Sequence, residues 1–128
     1  LDKVLIGSFL RENTRAPIVW GKTDCAMLAG KVWQMATGYD PMADLHGAYA
    51  RRWEYLRLSM AEGGLRAMAK RRMDHPSAKP FAGDGIGLIT HKNRQLFAVA
   101  AGGVWVSPGE QGGLMNVSDG RVLEAWGW

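Results

Sequence analysis

The sequence has one cysteine, Cys25, which excludes an internal disulfide and a cysteine-built zinc cluster. Its three histidines, His46, His75 and His91, lie far apart and without metal-ligand spacing, so no metal is expected. No apolar run approaches the roughly 18 residues that cross a bilayer, so no membrane span is expected. Arg11, Glu12 and Arg15 interrupt any signal-peptide pattern near the N-terminus. There is no internal repeat and no low-complexity linker, and the length suits one domain over residues 1–128 with one core. Gly102-Gly103 and Gly112-Gly113 precede no helix and are not followed by a Gly-Lys-Ser/Thr pattern, so they are not phosphate loops and no cofactor is implied.

A hydrophobic content of 47% argues against disorder. Six tryptophans are many for this length, and some of these rings must cover core or interface surface. The formal charge of +4 is modest. Its densest basic run, Arg66, Lys70, Arg71 and Arg72, is interleaved with Leu65, Met68 and Ala69. That pattern reads as the solvated side of an amphipathic helix, and with no accompanying motif nucleic acid is not an expected partner. His46 and His75 fall in loops and read as surface residues.

Texture divides the chain. Residues 1–75 read helical and residues 81–128 are Gly-rich with short β-type runs, which predicts an α+β fold. The first helix is predicted from about Asp2, its cap, to Glu12, with Val4, Ile6, Phe9 and Leu10 on its apolar side. A loop over Asn13–Gly21 follows. The clearest helix covers about Asp24 to Thr37, with Cys25, Leu28, Ala29, Val32, Trp33 and Ala36 on one face. Thr23 or Asp24 caps it and Gly38 ends it. A third helix fits Ala48–Ala61 with Tyr49, Trp53, Leu56 and Met60 on one side, and a fourth fits Leu65–Met73. Strands are predicted at Ile86–Thr90, Leu96–Ala101, Val104–Ser107, Leu114–Val117 and Val122–Trp126. Their connectors are short enough only for antiparallel neighbours. The Cys25 helix should pack on this sheet, burying Leu28, Val32, Trp33, Ile86, Leu88 and Val99.

Cys25 carries the chemical interest. In the first turn of a helix, the dipole and free N–H groups favour a thiolate and can form an oxyanion hole. Such a nucleophile also needs a base within hydrogen-bond reach. Asp24 beside it is a helix cap or an auxiliary group. His91 is the candidate base. A loop over Lys92–Gln95 would set it opposite Leu96, and a loop over Lys92–Arg94 would pair it with Gln95 on the other side of the sheet.

Trp20-Gly21-x-x-Asp24-Cys25, a helix ending Thr37-Gly38-Tyr39-Asp40-Pro41, Gly83-Asp84 before the β region and the closing Leu123-Glu124-Ala125-Trp126-Gly127-Trp128 occur in this order. Taken together they resemble the NlpC-type papain-like cysteine peptidase and amidase superfamily, in a branch associated with phage and prophage tails. The resemblance spans nearly the whole chain. It implies a papain-like fold, with N-terminal helices packed on a C-terminal antiparallel sheet or half-barrel. It implies cleavage of peptidoglycan peptides by active members, with Cys25 as nucleophile. The expected catalytic histidine position holds Leu96, and the third polar position falls on Ser107. The expected role is therefore a weakly active or inactive tail-tip component of a phage, prophage or gene-transfer particle. The alternative is an active amidase or endopeptidase acting during cell-wall penetration. Expected partners are other tail-tip or hub proteins and peptidoglycan. The expected place is the virion tail, after synthesis in the bacterial cytoplasm. Asp84 is expected to bond backbone N–H groups at a turn. Trp128 and Trp105 are the expected exposed interface anchors, with Arg52 and Arg57 at the rim.

Overall fold

Helices come first and strands later, as the change of texture requires. The computed structural model describes residues 3–12 and 17–128. In it, α1 (Lys3–Glu12), α2 (Cys25–Thr37), α3 (Arg52–Ala61) and α4 (Leu65–Arg72) precede β1 (Gly85–His91), β2 (Arg94–Ala101), β3 (Val104–Pro108), β4 (Leu114–Asn116) and β5 (Arg121–Gly127). The expected Asp2 cap lies outside the described residues. All strand pairs are antiparallel, in the spatial order β4-β3-β2-β1-β5, so the sheet is open with β4 and β5 at its edges. The fold is α+β, four helices packed on a five-stranded antiparallel sheet.

Strand alternation builds two cores. Ile86 and Leu88 of β1 and Phe97 and Val99 of β2 point to one face, where they meet Met27, Leu28, Val32 and Trp33 of α2. All six residues expected in the core are buried. The opposite face gathers Ile89, Ala98, Ala100, Trp105 and Val117. Gly87 belongs to this outer face, and a Cβ there would stand 2.7 Å from the Trp105 ring, so glycine is what lets the indole lie over the strand. Trp105 also stacks on Phe81, with ring centroids 5.0 Å apart.

Helix α2 is stopped where its sequence says. Gly38 adopts a left-handed conformation (φ 83°) and returns its N–H to the Gln34 carbonyl at 2.8 Å. Asp84 accepts the Gly102 N–H at 2.8 Å, bracing the β2–β3 turn as expected.

Four expectations need correction. Helix α3 begins at Arg52, and it turns Tyr55 and Ser59 inward, leaving Trp53 55% and Met60 75% exposed. Both of its sides carry apolar residues, so spacing alone could not choose the buried one. Trp105 is 7% exposed, and Trp128 is half-buried against Trp33, edge to face at 5.7 Å; neither is a free anchor. Arg72 is not a solvated charge: its side chain is 11% exposed, pairs with Asp44 and Glu62, and donates to the Pro41 carbonyl at 3.2 Å. His75 is half-buried, stacked on Tyr39 at 3.7 Å and bonded to Ser77.

Candidate functional site

The segment before α2 is folded around one carboxylate. Asp24 is fully buried and is the N-cap, which settles the choice between it and Thr23. Its Oδ1 accepts the N–H groups of Ala26 (3.1 Å) and Met27 (3.3 Å), and its Oδ2 accepts that of Gly21 (2.7 Å). The Tyr49 hydroxyl bridges both oxygens at 3.0 and 2.9 Å. Thr23 instead closes the preceding turn, accepting the Val19 N–H and donating to the Pro17 carbonyl. Every bond that Asp24 accepts positions backbone or tyrosine, as a helix cap does.

Cys25 is the first residue of α2 and is part-buried. Its neighbours are the Phe97 backbone of β2, the Tyr55 side chain of α3 and the Ala26 N–H. Burial, then the charge of Asp24 next door, push the thiol up to about 11, against those three groups, which favour the thiolate. Burial thus favours the protonated thiol, against the thiolate that a helix start by itself favours. Tyr55 is close enough to bias the sulfur's proton, but its hydroxyl lacks the geometry of a formed hydrogen bond and has no partner among the described residues. Burial first, and then the Cys25 and Tyr49 charges, raise the Tyr55 phenol as well. Trp20 and Tyr49 pack on the same ring, at 5.6 and 5.2 Å.

A cleft of about 610 Å³ opens over this cysteine. Trp20, Cys25 and the α3 residues Arg52, Tyr55 and Leu56 form one part of its wall; the β1–β2 hairpin and the β3–β4 connection form the rest. Cys25, His91, Leu96 and Ser107 all line it, so the fold brings the expected site residues to one place. It does not join them into a catalytic set. The β1–β2 loop is only Lys92-Asn93, both at positive φ, and His91 pairs with Arg94. Neither loop expected from the sequence is formed. Alternation from Ile89 puts the imidazole on the outer face, where its Nε2 lies 3.3 Å from Asp119 Oδ1. Leu96 packs with the same outer cluster. The β2 position beside the sulfur is Phe97, and Ser107 spends its hydroxyl on the Phe97 carbonyl at 2.8 Å. Among the described residues no imidazole hydrogen-bonds the Cys25 thiol, and no group of three or more His, Cys, Asp or Glu residues has metal-binding geometry.

Sequence reasoning missed Tyr55, Tyr49 and Gln95 as site residues. Tyr55 had a signal, since it falls on the same stretch as Trp53 and Leu56, but its direction depended on which side of α3 turned inward.

A family model, described as a domain of unknown function (DUF6950), matches residues 3–128. The chain belongs to the DUF6950 family. No curated protein and no solved structure matches it. The family description assigns no chemistry.

Proposed function

We propose that the chain is a catalytically silent relative of the NlpC-type papain-like hydrolases, acting by contact as a tail-tip component of a phage, prophage or gene-transfer particle. The family likeness rests on the Trp20-Gly21-x-x-Asp24-Cys25 segment and on a cysteine at the first position of a helix laid on an antiparallel sheet. The tail assignment rests on the same resemblance, as does a place in the virion tail after synthesis in the bacterial cytoplasm. The silence is carried by one observation: among the described residues no imidazole is bonded to the Cys25 thiol, and the ring of His91 lies instead beside Asp119; burial of the thiol favours its protonated form as well. Its partners in this reading are neighbouring tail-tip or hub proteins, with peptidoglycan as a surface approached but not cut.

The second reading is an active amidase with Cys25 as nucleophile and His91 as base. It is favoured by both residues lining one cleft. It requires His91 to leave Asp119 and come round to the inner face of the sheet.

Two measurements test the proposal. Soluble muropeptides and purified cell-wall sacculi, incubated with the wild type and with Cys25→Ala, should yield no new peptide or amine by mass spectrometry with either. Release by the wild type alone would establish the second reading. Proteomic analysis of purified tail particles should find the chain in stoichiometric amount. Its confinement to the soluble lysate would contradict the tail assignment.

A further inference from the structure

Among the described residues, half of β2 has no strand on one side. β1 pairs along β2 from Arg94 to Ala100, whereas β3 pairs only with Val99, Ala100 and Ala101. The hairpin geometry fixes which backbone groups face the open side. Lys92 and Asn93 are both at positive φ, the two-residue turn in which the flanking pair, His91 and Arg94, is hydrogen-bonded. Alternation then turns the N–H and C=O of Leu96 and Ala98 toward β1, and those of Gln95, Phe97 and Val99 away from it. Val99 meets Val106 of β3. The Phe97 carbonyl takes the Ser107 hydroxyl, and the Phe97 backbone faces Cys25. Gln95 is next in this row. It is exposed, it lines the cleft, and among the described residues no strand lies opposite it on that side.

The cleft around this free edge has a definite chemistry. Trp20, Leu56 and Met115 give it apolar surface. Of its three cations, Arg94 is paired with Glu110, while Arg52 and Lys92 have no ion-pair partner among the described residues. The Tyr55 hydroxyl, on a residue 4% exposed in the same wall beside Cys25, has no formed hydrogen bond among the described residues. Its volume lies in the range of roughly 300–1,000 Å³ that binding clefts occupy.

We propose that this cleft holds an extended, acidic and apolar peptide segment of a partner protein, added to β2 at Gln95 through main-chain hydrogen bonds. The inference rests on the proposed contact role and names its site. A free strand edge recognises backbone amides, which a lone anion does not offer. The two unpaired cations select an acidic side chain, and the apolar wall takes an alternate one. Cys25 and Tyr55 lie at the inner end of the cleft and do no chemistry on the segment.

The test is a titration of the ¹⁵N-labelled full chain with an end-blocked, all-L heptapeptide alternating valine and glutamate. Saturable shifts of the Gln95 and Phe97 amides are expected below about 1 mM. Affinity should fall about tenfold in the Arg52→Ala/Lys92→Ala double variant, whose substituted side chains are exposed. The same peptide with alternate amides N-methylated, and one alternating valine and lysine, should leave Gln95 unmoved. Shifts absent at Gln95, or equal with the N-methylated peptide, would overturn the proposal. Cleavage of the bound peptide would refute catalytic silence and leave the binding site standing; an intact, unbound peptide would do the reverse.

Discussion

Asp24→Ala is expected to lower the unfolding free energy by about 4 kcal/mol. The carboxylate is fully buried and accepts from Gly21, Ala26, Met27 and Tyr49. Loss of a helix N-cap alone costs about 1–2 kcal/mol. The Tyr49 hydroxyl and the Gly21 N–H would also lose their acceptor, and orphaned buried donors cost about 1–3 kcal/mol each. Tyr49 is itself buried, so water cannot readily replace the carboxylate. Asp24→Asn keeps an acceptor for the helix N–H groups but turns an N–H₂ toward Gly21 or Tyr49, and should cost about half as much. Denaturant unfolding of the three proteins measures both. A cost below about 1 kcal/mol for the alanine variant would mean that Asp24 does not hold this segment, and its claim to an auxiliary catalytic role would return.

Trp33→Ala is expected to cost about 3–5 kcal/mol, the range for removing a large buried aromatic side chain. Trp33 is fully buried on the sheet-facing side of α2, donates its Nε1–H to Ser77 at 2.9 Å and meets Trp128 edge to face. The substitution leaves a cavity, a Ser77 hydroxyl bonded to His75 alone and a Trp128 ring with one side bare. Trp53→Ala is the control: with the residue 55% exposed on α3, it should change stability by no more than about 0.5 kcal/mol. Equal losses in the two variants would show that α3 buries the side its sequence pattern suggests, with Trp53 inward.

That comparison marks where the sequence stopped being readable. Helix α2 was legible because its apolar residues fall on one face and a capping acid and a glycine bracket it. The five strands were legible because each is a short β-type run set between brief connectors that hold Gly, Asn, Asp or Pro. Helix α3 was not, since Tyr55 and Trp53 both lie on apolar sides and only the packing of Trp20, Tyr49 and Cys25 on Tyr55 decides between them. The β1–β2 loop was not, because it contains no glycine: Lys92 at φ 49° is a conformation that the residue's identity does not announce. A loop one residue shorter than the shorter of the two expected gave His91 a different strand partner, Arg94, and carried its ring to Asp119. The location of Cys25 at a helix start could be read. Its proton affinity could not, because burial under residues distant in sequence sets it.

The most direct measurement is the rate of Cys25 alkylation by iodoacetamide against pH, in the native protein and in denaturant. The lone cysteine makes every labelled molecule a report on this one site. The denatured chain should titrate near the ordinary thiol value of about 8.5. The native protein should label slowly at neutral pH, with a rate still climbing toward pH 11. A native rate that is fast at neutral pH and levels off below about pH 7 would reveal an ionised, activated thiol. That result would contradict the silent-site account.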